Sequence, residues 1–252
     1  ESLLDLARVQ RDRLDDVDQS INAFQKALIS GSVDTEARQE FVELSVNASR
    51  LDEAAELFER MGVDGDLQLD DPDASVDFSL AQADLLEKEL DDASRAAKVI
   101  DRVLRERGDT LELLAHARRL RARAESWDEL VDVLERTLAL TEVDADRAAL
   151  LMEIGELQDA IIGSADAAAD AFRRLVDAMP NNEAGQAALE RQLRKLSDHD
   201  GVARLLEDRL DATEDTAQII HIKLQLADLF VEHLEAPIDA LSQYEDVLHL
   251  RA

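Results

Sequence analysis

The stretch GVDGDLQLDDPDASVD, Gly62 to Asp77, holds six carboxylates: Asp64, Asp66, Asp70, Asp71, Asp73 and Asp77. Hard oxygen ligands at this density are the raw material of a calcium site. A calcium loop of the EF-hand type needs acids at alternating positions, a glycine at the sixth and a glutamate at the twelfth. Counted from Asp64, the sixth residue is Leu69 and the twelfth is Ser75, so the pattern fails at both. The stretch is therefore expected to be a solvated loop between helices, and the fold is expected to carry no structural metal.

Other chemistries are equally thin. The five histidines are His116, His199, His221, His233 and His249; no two have the four-residue helical spacing of a zinc pair, and HExxH is absent. The chain has no cysteine, which removes thiol catalysis, disulfides and Cys-ligated zinc. Gly-rich phosphate loops and the GxSxG elbow are missing, and acidic pairs are too common to mark an acid–base site. Catalytic residues and cofactors are expected to be none. Trp127 could anchor a ligand, but its alignment with Leu51 favours helix packing.

One cluster runs against the global charge. HARRLRAR, from His116, puts His116, Arg119 and Arg123 on one helical face, and ERQLRKL further on supplies Arg191, Arg194 and Lys195. Arg119 aligns with Arg191. Such cations could clamp carboxylates of a partner; the competing reading is pairing with the protein's own acids.

Those acids dominate. The formal charge is −30 over 252 residues, lysine is scarce and acids are spread along every segment. A chain so charged repels nucleic acid and anionic lipid, so no nucleic-acid partner is expected. The spread favours solvation, as in salt-adapted proteins, over recruitment of a basic partner. No apolar run approaches the ~20 residues that span a bilayer, so no membrane insertion is expected. The compartment is left open, with a soluble, cytoplasmic protein favoured, and so is the oligomeric state.

Positioning these residues is the work of repeated helices. With only eight glycines, three prolines and 3% aromatics, the composition is all-helical. LMEIGELQDAIIGSADAAADAFRRLV from Leu151 superposes on KLQLADLFVEHLEAPIDALSQYEDVL from Lys223, setting Gly155 on Ala227 and Phe172 on Tyr244. The same template fits near Ala7 and Ala83, at steps of 72 to 76 residues. A second template alternates with it, aligning Leu51, Trp127 and His199, and Phe58, Leu134 and Leu206. Apolar residues recur at three- and four-residue steps, as in Leu150, Ile154, Leu157 and Ile161. Ser49…Asp52, Ser126…Glu129 and Ser197…Asp200 read as helix starts. Each apolar stripe must be buried on a neighbouring hairpin, which is the logic of a solenoid.

The chain thus resembles a tetratricopeptide-repeat (TPR) array. The family's Ala-x3-aromatic-x2-Ala signature appears as Ser20-x3-Phe24-x2-Ala27, Ala54-x3-Phe58-x2-Met61 and Ala168-x3-Phe172-x2-Leu175, with Pro180 following. Gly155, Ala7, Ala83 and Ala227 stand near its small first-helix residue. The usual first-helix Trp and Tyr are missing, and the first template has one extra residue between its helices. The resemblance implies an all-α, right-handed superhelical solenoid of about seven hairpins covering 1–252 as a single array. Both ends break inside the pattern without a polar cap, so the array is expected to be part of a longer protein.

In such arrays the first helices line the concave groove. The resemblance therefore implies a non-catalytic scaffold or adaptor that binds a protein or peptide, with His116, Arg119, Arg123, Arg191, Arg194 and Lys195 facing an acidic segment. The alternative is the regulatory or substrate-docking region of a larger enzyme whose catalytic domain lies elsewhere. A third reading, an acidic chaperone for basic proteins, is favoured only if carboxylates concentrate in the groove.

Overall fold

The computed structural model describes residues 2–30, 35–63, 65 and 72–251. Among them are fourteen α-helices and no strand. They pair as seven hairpins: α1 Ser2–Leu14 with α2 Val17–Ile29, α3 Thr35–Asn47 with α4 Leu51–Met61, α5 Pro72–Lys88 with α6 Ala93–Arg107, and α7 Leu111–Arg123 with α8 Trp127–Leu140. Next come α9 Asp144–Leu157 with α10 Ala165–Ala178, α11 Glu183–Lys195 with α12 His199–Ala212, and α13 Thr216–Glu232 with α14 Pro237–Leu250. A single π-helical turn, Gln158–Ile162, extends α9. The chain forms two compact units, 1–137 and 138–252.

All seven hairpins turn in the same way. The residue two before the second helix is left-handed: Asp15, Ser49, Asp91, Glu125, Gly163, Ser197 and Glu235, with φ between 49° and 82°. The next residue donates its N–H back to the end of the first helix. Asp16, Asp92, Ser164 and Ala236 reach the carbonyl six residues back, whereas Arg50, Ser126 and Asp198 reach the one five back. This alternation is the structural form of the extra residue in every other template. In the fifth hairpin the extra residue is absorbed as the π turn, a wider helical winding that takes up an inserted residue without breaking the helix. Gly163 carries its φ of 82° without the strain a Cβ adds there.

Helix starts follow capping chemistry. Asp16, Asp92, Thr110, Ser164, Asn182, Asp198 and Asp215 each accept a hydrogen bond from a first-turn N–H. Two expected caps move by one residue. Ser49 and Ser197 occupy the left-handed turn position instead; Asp198 caps α12, and Arg50 precedes α4 without a side-chain cap. The loop expected over Gly62 to Asp77 is also cut short by a helix. Helix α5 begins at Pro72, where the absent N–H costs nothing. Asp64, Asp66, Asp70 and Asp71 lie outside the described residues. Asp73 and Asp77 are helical; Asp73 accepts from Arg107 at 2.7 Å and Asp77 from Arg38 at 3.4 Å.

The first unit is cored by a ladder of rings. Phe24, Phe41, Phe58 and Phe78, from α2, α3, α4 and α5, lie 6.4, 6.0 and 5.7 Å apart in sequence, tilted by 46° to 60°. Tilted rings at this distance gain from their quadrupoles beyond the area they bury. In the second unit Phe172 packs instead against Gly155, where an added Cβ would overlap the ring. The small residue on the first helix lets the aromatic of the second helix approach. In the first hairpin Ala7 is fully buried, and Ser20 on α2 donates to the Ala7 carbonyl at 2.8 Å. The hairpins are TPR-like in their own packing.

Candidate partner-binding face

Within each unit, ion pairs one hairpin step apart link first helices that follow one another. In the first unit Arg8 and Arg11 of α1 hold Glu40 of α3 at 2.6 and 2.8 Å. Arg38 of α3 meets Asp77 of α5 at 3.4 Å, its guanidinium 5.2 Å from the Phe78 ring centre. Arg119 and Arg123 of α7 both reach Glu87 of α5, and Arg123 also reaches Asp91. The Glu87 side chain is only 5% exposed, and these two guanidiniums are its ion-pair partners among the described residues.

Helices α3, α5 and α7 enclose a groove of about 780 Å³. Val42, Leu80 and Ala81 give it an apolar floor and are half-buried. Its rim carries Arg38, Glu43, Asp84, Lys88, Glu89 and Arg119. Lys88 pairs with Asp84 at 2.9 Å. His116 lines the same space from α7.

In the second unit the cations gather on other acids. Arg191 and Lys195 of α11 reach Asp159, in the π turn after α9, at 3.3 and 2.9 Å. The Lys195 ammonium, with Arg191 beside it, holds the Asp159 carboxyl below its ordinary value against the opposing effect of burial. Arg194 turns to Glu190, one helical turn back, at 2.8 Å, and Arg209 of α12 takes the other oxygen at 3.1 Å.

The structure thus brings His116 and Arg119 into one groove, with Arg123 beside it on Glu87. It brings Arg191 and Lys195 together on Asp159 but turns Arg194 away to Glu190. The two sets belong to different units. Sequence reasoning overlooked the acids Glu40, Glu87 and Asp159. Their signal was present: Glu87 precedes Arg119, and Asp159 precedes Arg191, by 32 residues. It also overlooked a contact between α12 and the end of α13, where the His199 and His233 rings stack 4.1 Å apart. Among the described residues no group of three or more His, Asp or Glu side chains is placed to hold a metal ion. Among the described residues no helix is long and apolar enough to cross a membrane.

No family model matches the chain, and no curated protein matches it. Solved structures similar to it include the C-terminal part of a TPR repeat-containing protein from Cytophaga hutchinsonii, 11% identical over 98% of this chain and 95% of that one, with a TM-score of 0.38. Another is a tetratricopeptide repeat protein from Parabacteroides merdae, 12% identical over 99% and 92%, with a TM-score of 0.34. A third is YrrB, described as a TPR protein with an unusual peptide-binding site, 14% identical over 69% and 84%, with a TM-score of 0.36.

Proposed function

We propose that the chain is a non-catalytic protein–protein interaction module whose first helices dock a segment of a partner protein, with the groove of α3, α5 and α7 as the principal site. One observation carries this reading: three successive first helices leave a half-buried apolar floor, Val42, Leu80 and Ala81, under a charged rim. A floor of that kind gains roughly 25 cal/mol for each Å² of apolar surface it covers, while the rim fixes register. His116 and Arg119 contact the segment in the groove and Arg123 beside it. Arg191, Arg194 and Lys195 offer further contacts on the first-helix face of the second unit.

The test is a selection from a random peptide library, run in parallel on the native protein and on Ala81→Trp. The indole fills the groove without changing its charge. Peptides enriched by the native protein are expected to lose binding to the variant, with helicity unchanged by circular dichroism. Identical enrichment by both proteins would remove the site from this groove.

A further inference from the structure

We infer that the segment taken by the α3–α5–α7 groove is basic, with apolar side chains between its cations; this rests on the groove being the docking site. Three lysine and arginine side chains line the groove, and each is already paired with a carboxylate lining it. Arg38 meets Asp77, Lys88 meets Asp84 and Arg119 meets Glu87. Two further carboxylates, Glu43 and Glu89, are exposed on the lining and have no ion-pair partner among the described residues. The uncompensated charge in the groove is therefore negative.

The alternatives differ in what they must break. An acidic segment has to compete with Glu87 for Arg119, and full capture of that guanidinium would break the pair. That would leave a carboxylate with 5% of its surface exposed short of a partner, and stripping one partner from a buried pair is costly. A basic segment pairs with Glu43 and Glu89 and disturbs nothing. Its apolar side chains meet Val42, Leu80 and Ala81 between those acids. The neighbouring hollow of α1 and α3 repeats the pattern. Its arginines Arg8 and Arg11 both bind Glu40, while Glu36 and Glu43 stand on the same lining. The chain's −30 charge draws a basic segment in from solution and speeds its arrival.

Three fluorescent peptides of about twelve residues serve as probes, at about 0.15 M salt where long-range attraction is screened within ~8 Å. One alternates Lys and Leu, one Glu and Leu, and one Lys and Ser. Anisotropy is read on the native protein, on Ala81→Trp and on the double variant Glu43→Gln with Glu89→Gln. The Lys/Leu peptide is expected to bind at least about tenfold tighter than either other probe, a difference of about 1.4 kcal/mol. It should weaken about tenfold on the double variant and lose binding on Ala81→Trp. Tighter binding of Glu/Leu, or no binding of any probe, overturns the inference. Equal binding of Lys/Leu and Lys/Ser, untouched by either variant, reduces it to unspecific attraction and also overturns it. Loss on Ala81→Trp but not on the double variant rejects the charge assignment and leaves the groove standing. Loss on the double variant alone rejects the groove.

Discussion

In the first unit Arg119 and Arg123 close over Glu87, which keeps 5% of its side-chain surface; in the second, Arg191 and Lys195 reach Asp159, which keeps 20%. The two clusters are built from equivalent helices at the same 32-residue step. They differ in where the acceptor sits. A carboxylate sunk between helices cannot return to water when its partners leave, so its arginines act as structural clamps. A carboxylate nearer the surface can be rehydrated, so its cations are held weakly and stay available. The cores differ in a parallel way. Four rings run in contact through the first unit, whereas Phe172 in the second is accommodated by the missing side chain of Gly155.

The largest effect that separates the units is expected in the cores. Phe58 is fully buried between Phe41 and Phe78, so Phe58→Ala opens a space lined by both rings and should cost about 3–5 kcal/mol in chemical denaturation. Gly155→Ala acts in the opposite sense, by overlap with Phe172, and should cost about 1–3 kcal/mol. Combining it with Phe172→Leu should recover part of that loss, because the overlapping atoms are gone. Strict additivity of the two changes would mean that the glycine is not there to admit the ring.

The next effect concerns the acceptors. Glu87→Gln keeps the shape of the side chain but removes the charge between two guanidiniums, and a loss of about 1–3 kcal/mol is expected. Asp159→Asn should cost under about 1 kcal/mol, since its partners Arg191 and Lys195 are 62% and 51% exposed. Equal losses by urea unfolding would erase the distinction between the clamped and the accessible cluster.

Much of this architecture was legible in the sequence because it repeats. The alignment of Leu51, Trp127 and His199 fell on the first residues of α4, α8 and α12, and Gly155 and Phe172, which the alignment set on Ala227 and Tyr244, meet in a direct contact that the alignment did not foresee. The extra residue in alternate templates was visible too, although its form was not. Whether an insertion becomes a π turn or a wider loop depends on which carbonyl the next N–H can reach. The serine caps were misplaced because a hydroxyl three residues before an acid fits two neighbouring positions. The turn needs a left-handed residue first, and that took Ser49 and Ser197. The start of α5 was missed although Pro72 signalled it, since the surrounding aspartates read as loop. The cations were found by composition, but their acceptors were not. Which acid faces which arginine depends on the register between hairpins, a tertiary property that no single helix contains.

The smallest effect is a pH dependence that should reach the two units in order. Glu40, in the first unit, is held below its ordinary value of 4.5 by hydrogen bonds from Arg8 and, less strongly, Arg11. Asp159, in the second, is held below 3.8 chiefly by Lys195. Both folded values are depressed, so each pair contributes its full stability above the unfolded value and loses it as pH falls through the folded one. Acid should therefore begin to weaken the Glu40 cluster below about 4.5 and the Asp159 cluster below about 3.8, by about 1 kcal/mol or less each for such partly exposed pairs. At neutral pH Glu40→Gln and Asp159→Asn should both melt below the native protein. On acidification the gap for Glu40→Gln should begin to narrow first, because its ordinary value is the higher, and the gap for Asp159→Asn should begin to narrow at lower pH. Melting curves from pH 7 to about 3 would show this, with refolding checked at each point. A gap that stayed constant down to the lowest pH would mean that packing of the two side chains, and not their charge, holds these helices together.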